Sequence, residues 1–212
     1  MSTLLVSGPD TATLTLVLAH GAGAPMDSPF MNQMAELLAD RAVRVARFEF
    51  PYMVSRRETG KRKPAPKAEL LQDAFRAAVA GAREQFSGVI AAGGKSMGGR
   101  VGSLVADQLF ASGIAQGLVC LGYPFHPPGI PEQLRTAHLE KMQCPAMVVQ
   151  GERDPFGCKA EVEAFKLSSA IRICWIGDGD HDFGARGSSG FTRKGNLTVA
   201  ADAVAEFMSG LM

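Results

Sequence analysis

Residues 88–100 read GVIAAGGKSMGGR, an apolar run that stops at two glycines and runs into the pentapeptide Gly94-Lys95-Ser96-Met97-Gly98. The apolar part predicts a buried strand over 88–92. The stripe Val101, Leu104, Val105 and Leu109 that follows has the 3.6-residue period of a helix. Ser96 therefore stands on a sharp turn between strand and helix. Glycines two positions either side remove side chains that would collide with the neighbouring strand and helix, and Gly99 adds room. A serine presented in this way is a candidate nucleophile. Its competing reading is an ordinary strand–helix turn with a serine in it.

Working outward, the same alternation recurs. Further strands are predicted at 15–19, 43–48, 117–121, 146–150 and 171–176, with an additional edge strand at 4–6. Several are apolar at consecutive positions, as strands buried on both faces must be. Between them lie helical stripes: Met31, Met34, Leu37 and Leu38; then Leu70, Leu71, Ala74, Phe75, Ala78, Val79 and Ala82; and, near the end, Ala200, Ala203, Val204, Phe207 and Leu211. Residues 161–165 form a shorter helical candidate. The expectation is an α/β fold, a three-layer α/β/α sandwich around a doubly wound, mostly parallel sheet. At 212 residues the chain is expected to form a single domain over 1–212.

Three further segments follow predicted strands directly. His20-Gly21-Ala22-Gly23-Ala24-Pro25 is a small-residue loop able to bring a backbone N–H towards a developing oxyanion. Ala22 is the first candidate, Gly23 the next, and the N–H of Met97 is the expected second donor. His20 is read as a structural residue of that loop. Gly151-Glu152-Arg153-Asp154-Pro155 offers Asp154 as the carboxylate that would orient an imidazole, with Glu152 as the alternative and a plain turn cap as the competing role. Gly177-Asp178-Gly179-Asp180-His181-Asp182-Phe183 offers His181 as general base, in the chain order Ser, Asp, His. Its three aspartates suggest a calcium loop as an alternative, but the full twelve-residue ligand pattern is missing, and no metal is expected.

Two loops draw notice. Residues 52–67 carry Arg56, Arg57, Lys61, Arg62, Lys63 and Lys67 against a single Glu58, and read as a solvated basic loop, with recruitment of an anionic substrate as the competing role. Residues 122–131, GYPFHPPGIP, are proline-rich. Gly23, Phe125 and His126 are the candidates for contact with substrate, with a structural role as the rival reading for His126. His138 is read as a solvated surface residue. Cys120, Cys144 and Cys174 lie in apolar surroundings and Cys158 in a loop, with neither zinc nor redox spacing among them.

Composition excludes several classes. A net charge of +1 and 46% apolar residues give no general attraction to nucleic acid or anionic membrane, and no stretch has the length of a membrane span. The first residues lack the basic start and clean apolar stretch of an export signal, so a cytoplasmic location is expected. GGKSMGG has a Lys-Ser pair but lacks the earlier glycine of a phosphate-binding P-loop. No cofactor is expected.

Taken together, HGAGAPMDSPFM, RFEFPYM, GGKSMGGR, GYPFHPPG, QGERDPFG and DGDHDF resemble the α/β-hydrolase superfamily across nearly the whole chain. More narrowly they resemble a branch of small bacterial proteins related to dienelactone hydrolases. That branch includes the hydrolase-like domain of a subunit of the NSL histone-acetyltransferase complex. The resemblance implies a doubly wound sheet, a triad of Ser96, Asp154 and His181, and hydrolysis of a small soluble ester. Dienelactone hydrolases carry a cysteine where this chain has Ser96, so their substrate does not transfer. No insertion is long enough for a cap domain, which implies an open cleft. A catalytically weak interaction module is the alternative.

Overall fold

The computed structural model describes residues 3–212. Its centre is one seven-stranded sheet: β1 (Leu5–Ser7), β2 (Leu14–Ala19), β3 (Val43–Phe48), β4 (Val89–Lys95), β5 (Gly117–Leu121), β6 (Ala146–Gly151) and β7 (Ile171–Ile176). The strand order is β1-β3-β2-β4-β5-β6-β7, with β1 antiparallel on β3 and every other pairing parallel. Strands β2, β3, β5 and β6 are buried at every position, which is why β5 and β6 read as nearly unbroken apolar runs, while β3 also buries Arg44 and Arg47.

Helices cover both faces. α1 (Pro29–Ala39) and α6 (Arg193–Ser209) press Phe30, Met31, Met34, Leu197, Ala200 and Val204 onto one side. α3 (Gln72–Gln85) and α4 (Met97–Ala111) press Phe75, Val79, Val101 and Val105 onto the other. α2 (Pro51–Thr59) and the four-residue α5 (Lys159–Val162) complete the set. Among the described residues no helix is long and apolar enough to cross a membrane.

Strand order reverses between β2 and β4. The connection from β2 leads outward to β3, and the chain then returns past β2 to continue through β4 to β7. The loops after β2 and β4 therefore diverge, and a crevice opens at the carboxyl ends of these strands. The loop Gly21–Ala24 and Ser96 face each other across it.

Three expectations need correction. Residues 52–67 are not a loop throughout, since α2 occupies Pro51–Thr59, started by Pro51 in its first turn and stopped by Gly60 at φ 69°. Only Met53 of this helix is buried, so it carries no apolar stripe to betray it. Leu70 is not on a core face: residues 68–71 form a 3₁₀ turn ahead of α3 that leaves its side chain 76% exposed. His138 is not a solvated surface residue. It is half-buried, its Nε2 is 2.8 Å from Ser103 Oγ, and burial lowers its pKa.

Candidate active site

Ser96 sits at φ 52°, ψ −116°, between the last residue of β4 and the first of α4. A non-glycine residue held in the left-handed half of φ is strained and persists only where its surroundings enforce it. Here they do. A Cβ on Gly94 would lie 2.2 Å from the Gly98 carbonyl carbon, and one on Gly98 would lie 2.6 Å from the His20 carbonyl oxygen. The backbone N–H of Ser96 donates to Leu121 O at 3.0 Å, pinning the turn to β5.

The three residues read from different strand ends come together. Ser96 Oγ lies 2.9 Å from His181 Nε2, and His181 Nδ1 lies 2.8 Å from Asp154 Oδ2. With Nδ1–H donating to the carboxylate, Nε2 is left to accept the serine proton. Asp154 is fully buried, and its oxygens also accept from Gln150 Nε2 (3.0 Å) and the Phe156 N–H (2.9 Å). Glu152, the alternative acid, is occupied elsewhere: its two oxygens meet the Asp178 N–H (3.1 Å) and Lys159 Nζ (3.2 Å).

Several residues that sequence reasoning missed hold this line in place. Gln150, fully buried at the end of β6, accepts from the Tyr123 N–H (2.8 Å) while its amide nitrogen reaches Asp154 and the carbonyls of Tyr123 and Gly157. Phe156 lays its ring 4.3 Å, centroid to centroid, from the His181 imidazole. Lys95, beside the serine and 7% exposed at its side chain, donates from Nζ to His181 O (2.8 Å), pairs with Asp182 Oδ1 (3.2 Å) and lies over the Phe30 ring. Burial lowers its pKa, against the pull of Asp182, Asp154 and Asp180. The other aspartates of this loop also have internal partners. Asp180 Oδ1 accepts from the N–H groups of Asp182 and Gly184, and Asp178 binds Arg153 and Arg186.

On the opposite wall, Met97 opens α4, where first-turn N–H groups have no intrahelical acceptor. The loop after β2 is fixed by its carbonyls. Gly21 O accepts from His20 Nδ1 (2.6 Å), Ala22 O from the Tyr52 hydroxyl (3.0 Å) and Gly23 O from Arg56 Nη1 (3.1 Å). His20 Nε2 accepts from the Phe50 N–H (3.1 Å), so this fully buried imidazole is neutral, with its pKa lowered by burial. The basic residues of α2 thus have structural partners: Arg56 holds the loop, and Arg57 binds Glu49 (2.7 Å) and Asp27.

The cleft over Ser96 encloses about 490 Å³ and is lined by Gly21–Ala24, Phe30, Met31, Lys95, Phe156, His181 and Arg193, among others. Larger grooves of about 640 and 690 Å³ lie elsewhere and contain neither Ser96 nor His181, so size alone does not mark the site. Of the substrate-contact candidates, Gly23 lines the cleft, as does the oxyanion candidate Ala22, whereas Phe125 and His126 do not. Phe125 is fully buried against Tyr123 and Phe165, and His126 is 3% exposed between Pro127 O and Glu161. Phe125 packs close against Gly157, where an added Cβ would stand 2.8 Å from its ring.

A family model described as an alpha/beta hydrolase domain matches residues 12–209. Among solved structures, an α/β serine hydrolase homologue from Coxiella burnetii shares 16% identity over 96% of this chain and 89% of its own, at a TM-score of 0.71. Est1E from Butyrivibrio proteoclasticus, solved with ferulic acid bound, shares 16% identity over 98% and 94%, at 0.72. Dienelactone hydrolase from Anabaena variabilis shares 21% identity over 97% and 89%, at 0.69. At these identities the likeness is one of fold.

Proposed function

This chain belongs to the alpha/beta hydrolase domain family, and we propose that it is a serine hydrolase acting on a small ester. The observation that carries this reading is the unbroken hydrogen-bonded line Ser96–His181–Asp154 opening onto the cleft. His181 takes the proton of Ser96 Oγ as that oxygen attacks the ester carbonyl, and buried Asp154 stabilises the imidazolium. The N–H groups of Met97 and Ala22 receive the oxyanion. The imidazolium then protonates the leaving alcohol. Water, activated by the same histidine, releases the acid from the acyl-serine and restores the site.

The narrower likeness to dienelactone-hydrolase-related proteins is part of the same proposal, as is the working of the chain as one hydrolase domain. The cleft walls suit a small acyl or alcohol group, with Phe30, Met31 and Phe156 supplying apolar contact. The test is labelling with a fluorophosphonate, the adduct located by mass spectrometry, beside hydrolysis of 4-nitrophenyl acetate. Labelling confined to Ser96, with at least about a thousandfold loss of turnover in Ser96→Ala, is the expected result. Folded wild-type protein that neither labels nor turns over would overturn the assignment and favour the interaction-module reading.

A further inference from the structure

The residues lining the Ser96 cleft include one carboxylate, Asp182, and two side chains of permanent positive charge, Lys95 and Arg193. Asp182 pairs with Lys95 at 3.2 Å, so those two charges offset one another. Arg193 has no ion pair among the described residues. Its guanidinium makes one hydrogen bond, from Nη1 to Gln33 Oε1 of α1 at 2.6 Å, and that acceptor is neutral. The bond fixes the group at the cleft and leaves the edge formed by Nε and Nη2 without a protein partner. Two parallel N–H groups on one edge are the complement of a carboxylate.

The chain places this arginine against local preference. Arg193 and Lys194 are the first two residues of α6, and its first turn holds no acidic residue. A helix start carries partial positive charge and favours acids over bases. The start is otherwise well made, since Thr192 Oγ1 accepts from the Gly195 N–H at 3.0 Å. Lys194 stays in solvent, whereas Arg193 is half-buried and lines the cavity. A position that breaks a local rule while lining a cavity is where function is expected. Ser28, just ahead of α1, lines the same cavity. It does not cap its helix, and its hydroxyl has no hydrogen bond among the described residues, so it is a second free donor.

We propose that Arg193 is a specificity-determining residue of this cleft, and that the substrate is an ester bearing a carboxylate. Nε and Nη2 of Arg193 take the two carboxylate oxygens, Gln33 holds the fork in place, and the Ser28 hydroxyl donates a further bond. The ester half of this statement rests on Ser96 as nucleophile; the carboxylate contact needs no turnover.

The test pairs anionic with neutral esters. The 4-nitrophenyl half-ester of glutaric acid beside 4-nitrophenyl pentanoate probes a carboxylate on the acyl side. 4-Acetoxybenzoate beside 4-nitrophenyl acetate probes one on the leaving group. The readout is the ratio of kcat/KM, anionic over neutral, within each pair. In Arg193→Gln the ratio should fall at least about tenfold in one pair, the loss of a charge-assisted contact, and that pair identifies the end that carries the carboxylate. Arg193→Lys keeps the charge without the fork and should fall between. Gln33→Glu leaves Arg193 in place but gives it an internal carboxylate. It should lower the same ratio with no loss in thermal stability, which a purely structural arginine would not produce. The exposed control Lys194→Gln should keep the ratio within about twofold of wild type. Ratios unmoved in both pairs by Arg193→Gln, or lowered equally by Lys194→Gln, overturn the carboxylate site. Calorimetric titration of monomethyl glutarate into Ser96→Ala, and into the same protein carrying Arg193→Gln, separates this inference from the nucleophile. A wild type inactive on all these esters, with binding to Ser96→Ala at least about tenfold tighter when Arg193 is present, overturns the nucleophile and keeps the carboxylate site. An inactive wild type with no such difference in binding overturns both.

Discussion

Replacing Lys95 by Met tests whether a buried ammonium positions the base. Nζ is the donor to His181 O at 2.8 Å, and its ion pair with Asp182, at 3.2 Å, reaches a carboxylate that is 63% exposed. A hydrogen bond from a charged donor contributes about 1.5–3 kcal/mol, and each 1.4 kcal/mol in a barrier is about tenfold in rate. The whole effect will not appear in turnover, because the loop has other anchors. Asn196 Nδ2 holds Phe183 O (2.9 Å), Arg153 holds Asp178 O (2.9 Å), and the Gly179 N–H holds Ile176 O (3.0 Å). The expectation for Lys95→Met is a fall in kcat of about tenfold with KM within about twofold, and a matching fall in the rate of fluorophosphonate labelling. Stability should not follow. Methionine replaces a desolvated cation with an apolar chain of similar length, an exchange that is often neutral or favourable. Asp182→Asn keeps the bond to His181 O and should lose less than Lys95→Met. Steady-state kinetics with 4-nitrophenyl acetate beside urea melts separate the two effects. Wild-type kcat in a folded Lys95→Met protein would show that the loop holds His181 without the ammonium.

Stability should fall with acid through the histidines. Both His20 and His138 have pKa values lowered from the ordinary 6.5, so the unfolded chain takes up these protons first. Stability is then full above 6.5 and lost as pH drops through the window beneath it, by at most about 1.4 kcal/mol per pH unit for each. Urea melts between about pH 7 and pH 5 should show this slope, reduced in His138→Asn, and a flat profile would contradict it. Gly98→Ala drives a methyl to 2.6 Å from His20 O and 2.7 Å from Ala19 O, and should cost about 3 kcal/mol or more in the same assay. Tyr52→Phe removes the hydroxyl that holds Ala22 O and should lower kcat about threefold to tenfold, with under about 1 kcal/mol lost in stability. An unchanged rate would show that the loop is rigid without that bond.

Legibility followed the range of the interaction. The strands at 43–48, 117–121 and 171–176 coincide with their expected bounds, because a short stretch rich in Val, Ile and Leu leaves a local mark whether it is buried on both faces, as in β5, or stands at the edge, as in β7. Ser96, Asp154 and His181 each follow a strand end, and three separate loop sequences sufficed to single them out. What was illegible depends on which way a side chain turns once the chain has left the sheet. Phe125 and His126 lie in the loop after β5, about as far beyond it as His181 lies beyond β7, yet they turn inward to pack against Phe165 and Glu161, from a segment some forty residues on. α2 escaped because a surface helix that buries only Met53 has no period to read.

The same reasoning explains why Lys95 and Gln150 were passed over although both stand in quoted or predicted segments. A lysine inside G-x-S-x-G reads as filler, and a glutamine closing an apolar strand reads as an end. Each acquires meaning from a partner brought by another strand: Lys95 of β4 from the carbonyl of His181 beyond β7, and Gln150 of β6 from Tyr123 beyond β5, which it joins to Asp154 of its own following loop. In a parallel sheet all these strands deliver their carboxyl ends to one edge, so polar residues at those ends converge however distant they are in sequence. A buried polar group at such an edge needs partners, and here the partners lie around the proposed nucleophile and base. Polar residues that break an apolar strand at its carboxyl end are therefore the positions to examine first when a sheet of this order is expected.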